Sequence, residues 1–322
     1  MPCGALATAM PSPATGSVVE TAADLDGSLD DVPDRPAHET LVLARPTHFD
    51  VRYHINPYMR EGVDTDRAGR QWERLRRVCD RYAECTHVVD PDGLAVPPGT
   101  AGPTTLPDFA FGANHALSTP DGRGALLARM STDERAAEPT YFEAWARQAG
   151  YDVLPAPDHA FEGGGDALWH PEKRLLWGGH GIRSDRAAYD GIADRLDVRV
   201  IALELTDPHY YHLDVCFSPL DRESVLIQPE AFTDEGLALI ETVFERVLAA
   251  PVSETRGGLA CNAVALGDRV LLGAGNPTTE RLLSDAGFDP IPIETDEFQK
   301  AGGSVRCLTL SLGDPGTGNE SR

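Results

Sequence analysis

A cysteine near the C-terminus, Cys307, follows a glycine pair in Gly302-Gly303-Ser304-Val305-Arg306-Cys307 and leads at once into the β-prone run Leu308-Thr309-Leu310. Glycine permits backbone angles and close approaches that other residues resist. A thiol behind such a turn, at the start of a strand, is well placed at the rim of a cleft, where it can act as a nucleophile. The competing reading is a buried structural cysteine, because free Cys is among the most buried residue types. Its company favours chemistry. Tyr210-Tyr211-His212-Leu213-Asp214 reads as a strand, on which residues two apart share a face, so His212 and Asp214 point the same way. Histidine serves as general acid and base near neutral pH. Upstream, Phe161-Glu162-Gly163-Gly164-Gly165-Asp166 sets Glu162 and Asp166 at either end of three glycines, which leaves both carboxylates room to reach a ligand. These acids count against a nucleotide, since a phosphate cradle wants backbone N–H groups with no carboxylate beside them.

Further candidates are weaker one by one. Pro107-Asp108-Phe109-Ala110-Phe111-Gly112-Ala113-Asn114 reads as a short strand ending on the polar Asn114, and Tyr53-His54-Ile55-Asn56-Pro57 places Asn56 before a proline. Arg129 and Arg183 fall at strand ends, where a guanidinium fork could grip an anion. Asp207, His209, His212 and Asp214 lie within one short stretch, and carboxylate–histidine clusters can bind divalent metals. That keeps a metal-dependent ureohydrolase open, although it leaves the Gly302 to Cys307 segment unexplained. A non-catalytic binding protein stays open as well.

The elements that must carry these residues repeat. Ala125-Leu126-Leu127-Ala128-Arg129, Arg174-Leu175-Leu176-Trp177-Gly178, Ser224-Val225-Leu226-Ile227-Gln228 and Arg269-Val270-Leu271-Leu272-Gly273 are apolar strands, each leading through a polar turn to a helical stretch. Ser184-Asp185 and Thr233-Asp234 are plausible N-caps. A second β-prone run follows each helix except the one after Gln228. Leu41-Val42-Leu43-Ala44-Arg45 opens a fifth unit that the strand around Leu308 to Leu312 completes. The strands recur roughly every 45 to 50 residues, the range of radial or solenoid repeats. This predicts five strand–strand–helix–strand units around a centre, with loops converging on one axial site. A doubly wound sheet is the alternative.

With 322 residues the chain can bury a large core without staples. Its net charge of -23, from 51 acidic and 28 basic residues, argues against a nucleic-acid partner, which needs clustered Lys and Arg. The acidity fits either a cationic substrate drawn by a negative field or general solubility. Six cysteines form no CxxC pair, which implies reduced thiols in a cytoplasm. No run of about 18 apolar residues predicts a membrane span, and no basic stretch precedes the apolar N-terminus to mark a signal peptide. Composition divides the chain into a disordered acidic leader over 1–39, a catalytic domain over 40–312 and a flexible tail over 313–322. No cofactor and no metal is expected, and a homo-oligomer is allowed.

Taken together, these residues resemble the guanidine-modifying (amidinotransferase) superfamily, most closely its arginine dihydrolases and dimethylarginine dimethylaminohydrolases. The resemblance runs from about Leu41 to Leu312. It rests on His48-Phe49-Asp50-Val51 through Ile55-Asn56-Pro57, on Pro107 to Asn114, on Glu162 to Asp166 with His212-Leu213-Asp214, and on Gly302 to Leu308. It implies a five-bladed α/β propeller of ββαβ repeats. It also implies Cys307 as nucleophile, His212 as acid and base, and Glu162 as the group that orients His212. Asp166 and Asp214 would hold guanidinium nitrogens, Asn114 and Asn56 would bind substrate, and Arg129 and Arg183 would take the α-carboxylate. An Asn at 114, where arginine deiminases resemble one another in having Asp, is similar to the dihydrolase branch, although Gly112 stands where that branch has Thr. The resemblance therefore implies hydrolysis of arginine to ornithine, ammonia and carbon dioxide. Citrulline-forming deiminase or dimethylaminohydrolase action, and amidinotransfer, are the alternatives.

Overall fold

The computed structural model describes residues 16–37 and 40–315. The apolar runs become strands, and one arrangement of strands is used five times. Ala116–Ser118 pairs antiparallel with Gly124–Leu127, which pairs parallel with Asp152–Leu154 after helix Glu138–Gln148. Ala167–Trp169, Leu175–His180 and Arg199–Glu204 repeat this around helix Ala188–Leu196. Phe217–Pro219, Ser224–Ile227 and Arg246–Ala249 repeat it around Asp234–Val243. Val264–Leu266, Arg269–Gly273 and Asp289–Ile293 do so around Pro277–Asp285. The helices are required because a parallel pair cannot be joined by a hairpin.

The remaining sheet joins the two ends of the chain. Thr40–Ala44 runs parallel to Cys85–Val89 across helix Thr65–Tyr82, and its antiparallel partner is Thr309–Leu312, with Thr309 opposite Leu43. That helix buries Ala68, Trp72, Leu75 and Cys79 at helical spacing. Asp64 caps it by accepting from the Arg67 N–H at 2.9 Å. The fold is mixed α/β. A doubly wound sheet is excluded, because none of the sheets among the described residues exceeds four strands and each contains an antiparallel pair.

Three expectations need correction. A strand does follow the helix after Gln228: Arg246–Ala249, whose exposed ends weaken its apolar signal. Ser184 is not a helix cap; Ala187 occupies that position and Ser184 turns inward. The leader is not disordered over 16–37. Val18–Val19 adds a parallel strand beside Val200 and Ile201, and the Arg35 N–H donates to the Glu172 carbonyl at 2.8 Å. At the other end the Tyr151 hydroxyl holds the Gly313 carbonyl at 3.0 Å. The rest of the leader, and the tail beyond Pro315, fall outside the described residues, as does Cys3. The other five cysteines are free thiols, and among the described residues no helix is long and apolar enough to cross a membrane.

Candidate active site

In every sheet a turn leads into the first strand, and these turns carry the chemistry. Asn114 lies in the 3-10 turn Gly112–His115 before Ala116–Ser118. Glu162 and Asp166 bracket the 3-10 turn Gly163–Gly165 before Ala167–Trp169. His212 starts the 3-10 turn Leu213–Val215, which contains Asp214, before Phe217–Pro219. Asn262 precedes Val264–Leu266, and Cys307 precedes Thr309–Leu312. The strand expected over Tyr210 to Asp214 is therefore a turn, as is the one over Pro107 to Asn114.

Cys307 is not at an exposed rim. It is buried, at 2% exposure. Cys79, Cys216 and Cys261 are buried too, but the surroundings of Cys307 are different. Its Sγ donates to Asp214 Oδ2 at 3.2 Å and lies 3.1 Å from Asn262 Nδ2. Burial, then the charge of Asp214, pushes the thiol well above its usual value. Burial likewise pushes the Asp214 carboxyl up to about 7. Asp214 Oδ1 is buried and has no hydrogen-bond partner. A buried oxygen with unused lone pairs beside a thiol is a socket for a donor.

His212 Nε2 lies 2.7 Å from Glu162 Oε2. Glu162 Oε1 accepts from the Ser131 N–H and hydroxyl at 3.0 and 2.6 Å, and Arg183 Nη1 approaches Oε2 at 3.3 Å. Burial opposes the Glu162 charge, but the bond to His212, its charge, and the Arg183 and Arg135 guanidiniums outweigh it and hold the carboxyl well below the usual range. Asn114 Oδ1 accepts from Arg135 Nη1 at 3.1 Å, which turns its Nδ2 toward the Glu162 carbonyl at 3.3 Å and His212 Nδ1 at 3.5 Å. This network assigns Nδ1 as the acceptor of His212 and Nε2 as its N–H toward Glu162.

Several expected residues have other duties. Both oxygens of Asp166 are used internally: Oδ2 accepts from the Ser184 hydroxyl at 2.6 Å and Oδ1 from the Leu213 N–H at 3.1 Å. Asp166 thus anchors the His212 turn. Asn56 donates to the Ala301 carbonyl at 3.0 Å and accepts from the Tyr58 N–H at 3.0 Å, which braces the approach to Gly302. Arg129 is exposed and gives its Nε to the Pro157 carbonyl at 2.6 Å. Arg183 is buried between Glu162 and the Ile55 carbonyl, which accepts at 2.6 Å. The residues considered as a metal set are divided: Asp207 pairs with His209 and Arg256, while His212 goes to Glu162.

Two residues escaped the sequence. Asn262 is buried, and its Oδ1 accepts from the N–H groups of Ser304, Arg306 and Cys307 at 3.1, 3.0 and 3.2 Å. Its amide thus shapes the cysteine turn and contacts the thiol. Arg135 is buried against Glu138 at 2.7 Å and orients Asn114. Asp133-Glu134-Arg135 reads as a solvated charge run, and Asn262 sits in an apolar run, so composition flags neither.

No protein-family model matches the chain. It is 36% identical over 282 residues to the bifunctional arginine dihydrolase/ornithine cyclodeaminase ArgZ of Synechocystis sp., across 85% of this chain and 38% of that protein, so it spans well under half of that relative's length. It is 31% identical over 280 residues to the N(G),N(G)-dimethylarginine dimethylaminohydrolase of Mycobacterium tuberculosis, across 86% of this chain and 87% of that one. Among solved structures it matches the N-terminal domain of ArgZ, an arginine dihydrolase from cyanobacteria, with a TM-score of 0.78 at 34% identity, covering 85% of this chain and 98% of that domain. That domain has been solved as a Cys-to-Ser variant bound to substrate, and as an Asn-to-Ser variant covalently bonded to a reaction intermediate. With the Mycobacterium relative matched at this identity over nearly its whole length, the chain belongs to the guanidine-modifying (amidinotransferase) superfamily.

Proposed function

We propose that the chain is a cysteine-dependent hydrolase that cleaves arginine to ornithine, carbon dioxide and two molecules of ammonia. We propose also that its five sheets are the blades of an α/β propeller, with the site turns gathered at one end of the axis. The observation that carries the functional reading is Asp214, buried, with one oxygen on the Cys307 thiol and the other unpartnered.

A guanidinium cation placed against Asp214 Oδ1 supplies the missing donor. Its charge also favours thiolate at Cys307, as cationic neighbours depress thiol pKa. The thiolate then attacks the central guanidinium carbon, held in line by the carboxylate. His212, steadied by Glu162, takes up the thiol proton at Nδ1 as the thiolate forms and returns it to the departing nitrogen, so that ammonia leaves. The covalent thiouronium that remains is released by a water from which His212 takes a proton. The product at this stage is citrulline. A second attack on the bound ureido carbon, with a second water, releases ammonia and carbon dioxide and leaves ornithine.

Asn114 separates this reading from a deiminase. A neutral amide suits a neutral ureido group better than a carboxylate would, and Arg135 fixes which end of it faces His212. The asparagine and cysteine substituted in the ArgZ domain are separated by the same number of residues as Asn114 and Cys307. A second reading, removal of dimethylamine from dimethylarginine, is favoured by the Mycobacterium relative. Free, unpaired thiols suit a reducing cytoplasm.

Purified protein incubated with arginine, and separately with dimethylarginine, should yield ornithine from arginine by mass spectrometry. Citrulline accumulating without ornithine would rule out the dihydrolase reading, and release of dimethylamine with no turnover of arginine would establish the second.

A further inference from the structure

The strands that the site turns lead into, one in each sheet, have two ends. The turns at their N-terminal ends carry the site above. Their C-terminal ends open into a different cavity of about 530 Å³, to which each sheet contributes a residue: Ser118, Trp169, Pro219, Leu266 and Ser311.

Arg35, Arg222, Arg246 and Arg306 line this cavity, together with the carboxylates of Glu172, Asp221 and Asp268. Arg35 is 8% exposed, stacks with its Cζ 4.6 Å from the Trp169 ring centroid, and gives one N–H to the Ser118 hydroxyl at 3.0 Å. Its Nε is buried with no hydrogen-bond partner. Arg306, next to Cys307 in the chain, also lines the cavity, and its Nε is buried and unpartnered as well. The other two guanidiniums are matched: Arg246 lies 3.0 Å from Asp221, and Arg222 pairs with Asp30. Neither Arg35 nor Arg306 has such a carboxylate within ion-pair distance among the described residues. Burial and the like charge of Arg306 both work against the Arg35 cation, yet a guanidinium keeps its charge inside proteins.

Two recessed like charges are costly unless an anion joins them. The fork of a guanidinium matches planar carboxylate and tetrahedral phosphate alike. The cavity is also larger than an ion requires and has apolar walls at Leu117, Leu220 and Leu266. We propose that this cavity binds a small oxyanion, a carboxylate or phosphate monoester carrying an apolar group, between Arg35 and Arg306. Arg306 also feels the charges of Asp214 and Cys307, and it adjoins Cys307 in the chain.

Isothermal titration calorimetry on the full chain tests this without reference to any reaction. Phenyl phosphate, benzoate and inorganic phosphate are titrated at constant ionic strength, set with sodium chloride. The expected result is one saturable site that prefers an apolar-bodied anion to inorganic phosphate; the phenyl phosphate and benzoate arms tell which oxyanion it takes. Arg35→Gln should weaken that affinity by about tenfold or more, since it removes a charged fork. Circular dichroism verifies that the variant is folded; if it is not, Arg35→Lys keeps the charge, loses the fork, and should still weaken binding. No saturable binding to the wild-type protein, or equal affinity in a folded Arg35 variant, overturns the proposal.

Discussion

Asp214 and Cys307 each need what the other cannot supply. Burial favours the neutral form of both, raising the carboxyl to about 7 and the thiol well above its usual value. A cation between them favours both charged forms. Because Asp214 is raised, it is largely protonated below pH 7 in the empty site, and binding a guanidinium must expel that proton. Arginine should therefore bind Cys307→Ala more tightly as pH rises, by up to about tenfold per pH unit below 7, and level off above it. Titration calorimetry between pH 5.5 and 8.5, roughly spanning that carboxyl, measures this; a flat profile removes Asp214 from the cation site. Asn262 offers a second test. Asn262→Ala leaves the Ser304 and Cys307 N–H groups without their acceptor, and the Arg306 N–H with only the backbone carbonyl of residue 262 at 3.4 Å, at about 1–3 kcal/mol for each one left unsatisfied. Asn262→Asp keeps the acceptor but sets a carboxylate oxygen against the thiol. The Ala variant should lose thermal stability and activity together, whereas the Asp variant should keep most of its stability and lose turnover. Cys307 and Glu162 stood out in the sequence beside glycines and His212 and Asp214 by their alternation, and the structure sets them in two contacting pairs. Asn262 and Arg135 were not, because their importance lies in what they touch across the fold.

Turns, more than strands, decide where these groups point. Gly163 has φ of +56°, and a Cβ there would lie 2.8 Å from the Ala116 carbonyl oxygen. At Gly165 a Cβ would fall on Asn114 Nδ2 and stand 3.3 Å from His212 Nδ1. The glycines thus make room for a neighbouring turn, a different service from the free reach for carboxylates expected from sequence. Gly165→Ala should cost about 1–3 kcal/mol by overpacking and reduce turnover by displacing the Asn114 amide. Gly191→Ala is the internal control: it lies in helix Ala188–Leu196 with nothing within 4 Å of the added methyl. That change should stabilise by about 0.5–1 kcal/mol. Denaturant melts and steady-state rates of the pair measure both effects, and equal behaviour of the two variants would contradict the crowding argument. At this scale the apolar strands were readable from composition and the 3-10 turns were not. His212-Leu213-Asp214 has the polar–apolar alternation of a strand, but Asp166 captures the Leu213 N–H, and that long-range bond bends the segment.

Across the molecule, the repeat was visible because the middle strand of each sheet is a compact apolar run, and the pairing of Thr40–Ala44 with Thr309–Leu312 follows from a first unit that lacks one strand and a last strand that stands alone. Segment 16–37 escaped notice for a physical reason: its apolar residues lack periodicity, although Val19 and Val32 enter the core with Ala22, Leu25 and Leu29 packed against it, and backbone groups and charges add to the hold. Val18 and Val19 pair with Val200 and Ile201, the Pro33 carbonyl accepts from the Arg174 N–H at 2.8 Å, and the Asp26 carbonyl accepts from Arg199 at 2.9 Å. The Val32 carbonyl and Asp34 accept from Lys173, which is 4% exposed. Deleting residues 1–37 would leave Lys173 without either partner and uncover the edge of Arg199–Glu204. A handful of net hydrogen bonds at about 1 kcal/mol each corresponds to a fall in Tm of roughly 5–10 °C for a chain of this size. Scanning calorimetry on the truncated chain measures the fall, and phenyl phosphate titration should show lost binding with Arg35 gone. An unchanged Tm would mean that this segment contributes nothing to the fold, and that Arg35 reaches its cavity without the docking described above.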